Sequence, residues 1–194
     1  MRNKLFAIAA ALVVGGTLVA SPAQADSGKN SCVLNLDTKA YACYSSFSAA
    51  VSAVTGGKVK LKTDDARAAV NDPSFHAQTE AAASYLIHIQ YWNANYNQCG
   101  SGTCSDYTLG LWGSRECTTT TNDTDYSVAD LGKYENPGHG TWNNKISSYQ
   151  VGGKCLQNSW DNINYRAAST GYRGHQSHLS DIGWNDRIAS IKWS

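Results

Sequence analysis

Two short loops in the second half of the chain have almost the same sequence. The first reads WNNKISS and begins at Trp142, and the second reads WNDRIAS and begins at Trp184. Each loop is preceded by a similar aromatic segment, YWNANYNQ from Tyr91 and WDNINYRA from Trp160. A pair of segments that recurs in the same order indicates a duplicated structural unit, and this duplication constrains the fold more than the composition does.

The region that contains the duplication, residues 85–194, is typical of β-structure. The run YLIHIQYW sets Ile87 and Ile89 against His88 and Gln90, which is the alternation of a half-buried strand. Short runs separated by Gly, Asn, Asp, Ser and Thr continue to the end of the chain. We therefore predict a small sandwich with aromatic anchors over this region.

Residues 26–84 have a different composition, rich in Ala, Ser and charged residues and poor in large apolar ones. The run SSFSAAVSAVTGG starts with hydroxyl residues and ends in Gly-Gly, which predicts a short capped helix. Asp64 and Asp65 followed by Pro73 predict one or two further helical turns. We expect a short helical N-terminal extension that packs on the following domain and does not form a full hydrophobic core of its own.

Residues 1–25 have the three parts of a secretory signal peptide. Arg2 and Lys4 form a basic start, an apolar run extends over 5–20, and a small-residue cleavage pattern ends at Ala25. A membrane anchor is the alternative, but the apolar run is too short to span a bilayer comfortably. We therefore expect a secreted, extracellular protein with no membrane partner.

Charge and cysteine content narrow the class of protein further. The formal net charge of +1 and the absence of a basic stripe argue against nucleic acid as a partner. An even number of cysteines, six, indicates disulfides in a secreted chain. Because sequence neighbours close easily into loops, we favour the pairs Cys32–Cys43, Cys99–Cys104 and Cys117–Cys155. The cysteine spacing does not support a zinc site.

The duplicated segments resemble the βγ-crystallin Greek key. That family has an aromatic corner Tyr-x-x-x-x-Tyr-x-Gly, followed by a loop Asn/Asp-Asn/Asp-x-x-Ser/Thr-Ser. Loop 143–148 matches completely, whereas loop 185–190 has Ala189 in place of the hydroxyl residue. Gln98 and Ala167 stand where the family has a glycine that often supplies a positive φ, so distorted or shifted hairpins are expected.

The resemblance implies a mainly β, two-motif Greek-key βγ-crystallin-like sandwich with the short helical N-terminal extension. In the family, the loop of one motif and the hairpin of the other combine to hold calcium. Carried over by alignment, the ligands include the Ser147 hydroxyl and the backbone carbonyls of Trp92 and Asp161. The full set of expected metal-site residues is Trp92, Asn143, Asn144, Ser147, Asp161, Asn185 and Asp186.

Calcium suits such a loop because it is a hard cation that prefers oxygen ligands. Mostly neutral oxygens imply weak affinity, on the order of 10⁻⁴ to 10⁻³ M. The second loop is expected to form the weaker site, since Ala189 removes one oxygen while Asp186 adds charge. Restoring the hydroxyl with Ala189→Ser is expected to raise calcium affinity. Alternatively, both loops are only turns, in which Asn, Asp and Ser bond their own backbone.

Three function classes follow from these observations. The first is a secreted, non-enzymatic calcium-binding protein, which we expect to be a monomer. The second is an inhibitor of an extracellular peptidase, because some secreted microbial metallopeptidase inhibitors are similar to a crystallin-type domain. Its rigid binding loop would be Cys99–Cys104 or the segment near Cys117. The third is a glycan-binding module that uses an exposed aromatic such as Trp112.

Overall fold

The computed structural model of the chain describes residue 28 and residues 30–98, 106–118 and 120–194. The expected signal peptide and the expected Cys99–Cys104 disulfide lie outside these residues. The described residues form a five-stranded and a four-stranded sheet. Their strands are β1 Ser31–Asn35, β2 Tyr41–Tyr44, β3 Tyr85–Tyr91, β4 Thr108–Gly113, β5 Tyr126–Val128, β6 Ser148–Val151, β7 Gln157–Asn162, β8 Arg166–Ser169 and β9 Ser190–Trp193.

Three helices lie between β2 and β3, where the sequence predicts helical turns. They are α1 Phe47–Val54, α2 Ala66–Val70 and α3 Pro73–Ala81. The side chains of Ser46, Asp65 and Asp72 each accept a hydrogen bond from a backbone N–H in the first turn. Such caps satisfy donors that have no partner inside the helix. The capped helix predicted from SSFSAAVSAVTGG is confirmed.

Residues 26–84 are not only helical, which corrects the expectation for this segment. Strand β1 pairs in parallel with β4, and β2 pairs with β1 at the edge of the same sheet. These strands have only five and four residues, so their own periodicity does not reveal them. Strand β1 is stabilised by pairing with β4, which comes much later in the chain, and β2 is held in the sheet through β1.

The two sheets are interlocked by strands that cross from one motif to the other. The first sheet has the order β2-β1-β4-β3-β6, and the second has the order β5-β9-β7-β8. Strand β5 comes from the first repeated unit but pairs with β9 of the second. In return, Gln176 of the second unit forms a bridge with Tyr149 in β6. Each unit therefore pairs with the sheet of the other, the first through a strand and the second through a single bridge, as expected for a two-motif Greek key.

Two hydrophobic clusters cover the two faces of the first sheet. The cluster between the sheets contains the loop residues Trp142 and Trp184, which are 0% and 8% exposed and anchor the core as expected. The other cluster joins the helices to the outer face of the first sheet and includes Phe75 and Trp112. Trp112 is only 1% exposed, so the suggestion that it stacks on a glycan is wrong.

Strand β3 departs from simple alternation. Ile87 packs in the cluster between the sheets, whereas Ile89 packs against the helices. The register with β4 shifts between Leu86 and His88, which marks a bulge or irregularity there. An extra residue in one strand turns the following side chains to the opposite face. The prediction that Ile87 and Ile89 share a face is therefore wrong.

Two disulfides link described cysteines, Cys32 with Cys43 and Cys117 with Cys155. Both pairs were predicted, and such bonds are typical of an oxidising compartment. Across the described residues, the structure contains no helix with the length and apolar character needed to cross a membrane.

Candidate metal centre

The two repeated loops lie side by side and exchange backbone hydrogen bonds. Asn144 donates its N–H to the carbonyl of Ile188 at 3.0 Å, and Asp186 donates to the carbonyl of Ile146 at 3.1 Å. Asn144 and Asp186 are equivalent positions, and their φ angles are 57° and 53°. Short polar side chains such as Asn and Asp tolerate this left-handed conformation better than most residues. The loop sequences are therefore suited to this shared geometry.

Each loop also bonds to the hairpin of its own motif. Ser147 donates its N–H to the Tyr91 carbonyl at 3.0 Å, and Ala189 donates to the Trp160 carbonyl at 2.8 Å. Trp92 directly follows Tyr91, the partner of Ser147. Asp161 directly follows Trp160, the partner of Ala189. The two hydrogen bonds create two junctions, one at Ser147 and one at Ala189.

The pairing of loop and hairpin differs from the arrangement carried over from the resemblance. That arrangement joins a loop to the hairpin of the other motif, whereas Ser147 lies at the end of its own hairpin. The physical reason is that β3 and β6 of the first motif are neighbours in one sheet, with Tyr91 opposite Ser148. The second motif contributes through Asp186 instead.

The first junction brings together oxygens from both motifs. The Ser147 Oγ lies 3.4 Å from Oδ1 of Asp186. The other carboxylate oxygen of Asp186 accepts a hydrogen bond from the Asn185 amide at 2.7 Å. Ser147 is only 7% exposed, so its hydroxyl is held within the junction. Across the described residues, Asp186 forms no ion pair, and its carboxylate charge is not neutralised by Lys or Arg.

The second junction has a different chemistry. The Ala189 side chain supplies no oxygen there, and the carboxylate of Asp161 pairs with Arg187 through Oδ2 and Nη2 at 2.9 Å. Oδ1 of Asp161 also accepts the Ala168 N–H at 3.1 Å. Arg187 donates a second hydrogen bond to the Gly183 carbonyl at 2.7 Å. The carboxylate at this junction is thus already neutralised by the protein.

The remaining expected ligands lie in the same loops but have different surroundings. The Oδ1 atom of Asn143 is buried without a hydrogen-bond partner among the described residues. Asn144 is exposed, and Asn185 orients the Asp186 carboxylate. The carboxylate and the hydroxyl at the first junction are oxygen donors of the kind that a hard cation prefers. The donor set at the second junction does not fit one.

Aromatic side chains surround the hairpin end of the first junction. The ring of Trp92 lies 5.0 Å from the His139 ring and 6.0 Å from the Tyr107 ring, measured between centroids. The Lys145 Nζ lies 5.4 Å from the Trp92 ring centroid. Lys145 is the equivalent of Arg187, and Trp92 is the equivalent of Asp161. The Lys145 side chain of the first motif therefore lies against the Trp92 ring, whereas the equivalent Arg187 of the second motif pairs with the Asp161 carboxylate.

Other metal chemistry finds little support in the described part of the chain. No three His, Cys, Asp or Glu side chains cluster there in a way that could hold a metal ion. His175 accepts the Val151 N–H through its Nδ1 atom at 3.0 Å. The first junction offers oxygen ligands instead, from the Asp186 carboxylate and the Ser147 hydroxyl.

The segments proposed for peptidase inhibition can be placed only in part. The Cys99–Cys104 loop lies outside the described residues. Cys117 is 7% exposed and is bonded to Cys155. It also donates its N–H to the Gly153 carbonyl at 2.9 Å. Cys117 itself therefore lacks the exposure that an inhibitory contact residue needs.

Comparison with known proteins matches this chain to solved structures. No family model matches the sequence, and no curated protein matches it. A βγ-crystallin domain from Flavobacterium johnsoniae is 22% identical, covering 56% of this chain and 93% of that chain, with a TM-score of 0.35. A βγ-crystallin from Ciona intestinalis is 20% identical, covering 55% and 98%, with a TM-score of 0.35.

A third similar structure is a double mutant of clostrillin in complex with nickel. It is 16% identical, covering 55% of this chain and 95% of that chain, with a TM-score of 0.36. The fold assignment rests on this chain's own strand order and on the hydrogen bonds of its repeated loops and hairpins. With two interlocked Greek-key units and paired loops at their junctions, the chain has a βγ-crystallin-like fold.

Proposed function

We propose that this chain is a secreted, non-enzymatic βγ-crystallin-like protein that binds one calcium ion at the first junction. The observation that carries the proposal is the contact between the Ser147 hydroxyl and the Asp186 carboxylate. These two oxygens come from different motifs and lie 3.4 Å apart. The carboxylate is exposed and has no Lys or Arg partner among the described residues, so a bound cation would be its charge partner there.

The chain's own residues give the ion a structural role. Asp186 would supply the charge, and the Ser147 hydroxyl and the Trp92 carbonyl would supply neutral oxygens. The Ser147 hydroxyl and the Asp186 carboxylate lie together only when both motifs are folded. A ligand that binds the folded state and not the unfolded state stabilises the protein. Calcium, when bound, supplies a hard positive charge that links the two loops across the junction.

Secretion is supported by the chemistry of the chain. The two described disulfides, Cys32–Cys43 and Cys117–Cys155, are expected to persist in an oxidising environment. The sequence of residues 1–25 also has the pattern of a signal peptide. Calcium at millimolar concentration is the regime in which weak extracellular modules operate, with dissociation constants on the order of 10⁻⁴ to 10⁻³ M.

Calcium titration of the secreted chain tests the proposal directly. Binding is followed by isothermal titration calorimetry and by thermal melting in EGTA and in about 10 mM calcium. With a dissociation constant on the order of 10⁻⁴ to 10⁻³ M, calcium should raise the melting temperature by about 3–10 °C. Magnesium at the same concentration controls for ionic strength.

Two variants locate the site. Ser147→Ala and Asp186→Asn should each reduce the calcium-induced shift in melting temperature, and Asp186→Asn should reduce it more because it removes the charge. Ser180→Ala is the matched control, since the Ser180 hydroxyl also lies 3.4 Å from a carboxylate, that of Asp181, on an exposed turn. Equal calcium shifts in wild type and Asp186→Asn would refute the proposal.

A further inference from the structure

Arg187 is held in one position by three contacts. Its Nη2 atom pairs with Asp161 at 2.9 Å, and its Nη1 atom donates to the Gly183 carbonyl at 2.7 Å. Its guanidinium carbon lies 4.9 Å from the centroid of the Trp184 ring. The planar fork of arginine suits this combination of a carboxylate, a carbonyl and an aromatic face. The contacts fix the cation at the end of the second hairpin.

Arg187 lies at the second junction, which can be compared with the first junction position by position. Ala189 stands where the first motif has Ser147, and Asp161 stands where it has Trp92. The second junction therefore has one carboxylate, as the first does, but that carboxylate belongs to the hairpin and not to the loop. A carboxylate already paired with a guanidinium has little remaining attraction for a metal ion, because the local charge is cancelled.

We propose that Arg187 is a built-in cation that replaces a metal ion at the second junction. Its guanidinium links the second loop to the second hairpin through Asp161, which is the link that an ion would otherwise make. The second junction is therefore closed without metal, and the chain binds one calcium ion instead of two. This inference rests on the proposed function for the count of ions, but the role of Arg187 in metal-free stability is independent of it.

The inference changes the expected effect of restoring the missing hydroxyl. Ala189→Ser alone adds an oxygen but leaves the guanidinium on Asp161. Arg187→Ala alone releases the Asp161 carboxylate but leaves the junction without the hydroxyl. Only the double variant Arg187→Ala/Ala189→Ser offers both a hydroxyl and an unpaired carboxylate. It should therefore be the variant that gains an ion.

The experiment measures calcium stoichiometry by equilibrium dialysis and melting temperature in EGTA. We expect one ion per chain for wild type and for Ala189→Ser, and two for the double variant. In EGTA, Arg187→Ala should lower the melting temperature by about 2–4 °C, as for loss of a restrained surface ion pair. Lys145→Ala is the matched control, because Lys145 has the same loop position but contacts the Trp92 ring.

Each outcome supports or overturns the inference. A second ion in Ala189→Ser with Arg187 intact would overturn it, as would a double variant that gains no ion relative to wild type. Equal melting temperatures in EGTA for Arg187→Ala and wild type would also overturn it. If wild type binds no calcium, the proposed function fails alone. The inference is then upheld if Arg187→Ala lowers the metal-free melting temperature and the double variant gains its first ion.

Discussion

Ser148 and Ser190 make the same two hydrogen bonds in the two motifs. The Ser148 hydroxyl donates to the Asn93 carbonyl at 2.6 Å and accepts the Tyr96 N–H at 3.0 Å. The Ser190 hydroxyl donates to the Asn162 carbonyl at 2.7 Å and accepts the Tyr165 N–H at 3.0 Å. Each hydroxyl thus ties the strand after the loop to the turn of the aromatic hairpin. The two serines close the hairpins in equivalent ways.

Replacing either serine should destabilise the protein. Both residues are 0% exposed, so Ser148→Ala or Ser190→Ala leaves a carbonyl and an N–H without their hydroxyl partner. We expect each change to lower the free energy of unfolding by about 1–3 kcal/mol. Urea unfolding followed by tryptophan fluorescence measures the effect. The exposed control Ser180→Ala should change it by less than about 0.5 kcal/mol, and a similar loss there would contradict the prediction.

The buried imidazole of His88 should make folding sensitive to acid. Burial penalises the charged form and lowers the pKa of His88 to about 3, from an ordinary value of 6.5. The unfolded chain therefore binds a proton that the folded chain excludes, between pH 6.5 and about 3. The His88 contribution to stability is complete above pH 6.5 and is lost as the pH falls, by up to about 1.4 kcal/mol per pH unit.

The variant His88→Gln tests this dependence, because glutamine is polar but does not titrate. Its free energy of unfolding should fall less between pH 6.5 and 4.5 than that of wild type. His175, whose pKa is also lowered by burial, contributes in the same direction and remains in both proteins. Parallel curves for wild type and His88→Gln would show that His88 does not carry the dependence.

The two described disulfides should differ in their contribution to stability. Cys117–Cys155 has a sequence separation of 38 and Cys32–Cys43 a separation of 11. In the chain-entropy model, the larger loop restricts the unfolded state more, giving about 4 kcal/mol against about 3 kcal/mol. Paired Cys→Ala variants, unfolded in urea, provide the comparison. A larger loss on removing Cys32–Cys43 would mean that native-state contacts, and not loop entropy, determine the ranking.

Ala167 and Gln98 both stand where the family pattern has a glycine, but their backbone conformations differ. Ala167 has a φ of 65°, which favours glycine, whereas Gln98 has a φ of −95°. We expect Ala167→Gly to raise the free energy of unfolding by about 0.5–1 kcal/mol, because relief of strain exceeds the added unfolded-state entropy. Gln98→Gly should instead lower it. Thermal unfolding measures both changes in the free energy of unfolding, and the same sign for the two variants would contradict this prediction.

Calcium removal should be reversible and local to the first junction. Dialysis against EGTA should lower the melting temperature of wild type, and readdition of calcium should restore it. Trp92 lies next to Tyr91, whose carbonyl accepts the Ser147 N–H, so its fluorescence should report the cycle. A Trp92→Phe variant keeps the backbone carbonyl and should retain the shift in melting temperature while losing most of the fluorescence change. Loss of the melting shift would assign a further role to the indole.

Local signals in the sequence predicted much of the fold. Ser46, Asp65 and Asp72 cap helices because their short side chains reach the first-turn N–H groups, an interaction confined to a few residues. The repeated loops predicted the duplication, and Trp142 and Trp184 are core anchors as expected. These features could be predicted because each depends on neighbouring residues or on a comparison of the two repeats.

Features that depend on distant pairing were missed. The segment SCVLN forms β1 between β2, its neighbour in the chain, and the distant β4, and no local pattern records β4. The pair of Asp161 and Arg187 was also missed, although the repeats contain a signal for it. Where the first motif has Trp92 and Lys145, the second has an acid and a base, so comparing both positions together indicates a contact. Examining each loop separately could not detect it.

The parallel pairing of β1 with β4 also covers an edge of the first sheet. Without β1, strand β4 would present six residues of unpaired backbone at the edge of a sheet reduced to β4, β3 and β6. Such an edge is a template for association with a second chain. The new edge strand, β2, has four residues and is joined to β1 by a disulfide. The N-terminal segment therefore protects the domain against edge-to-edge aggregation.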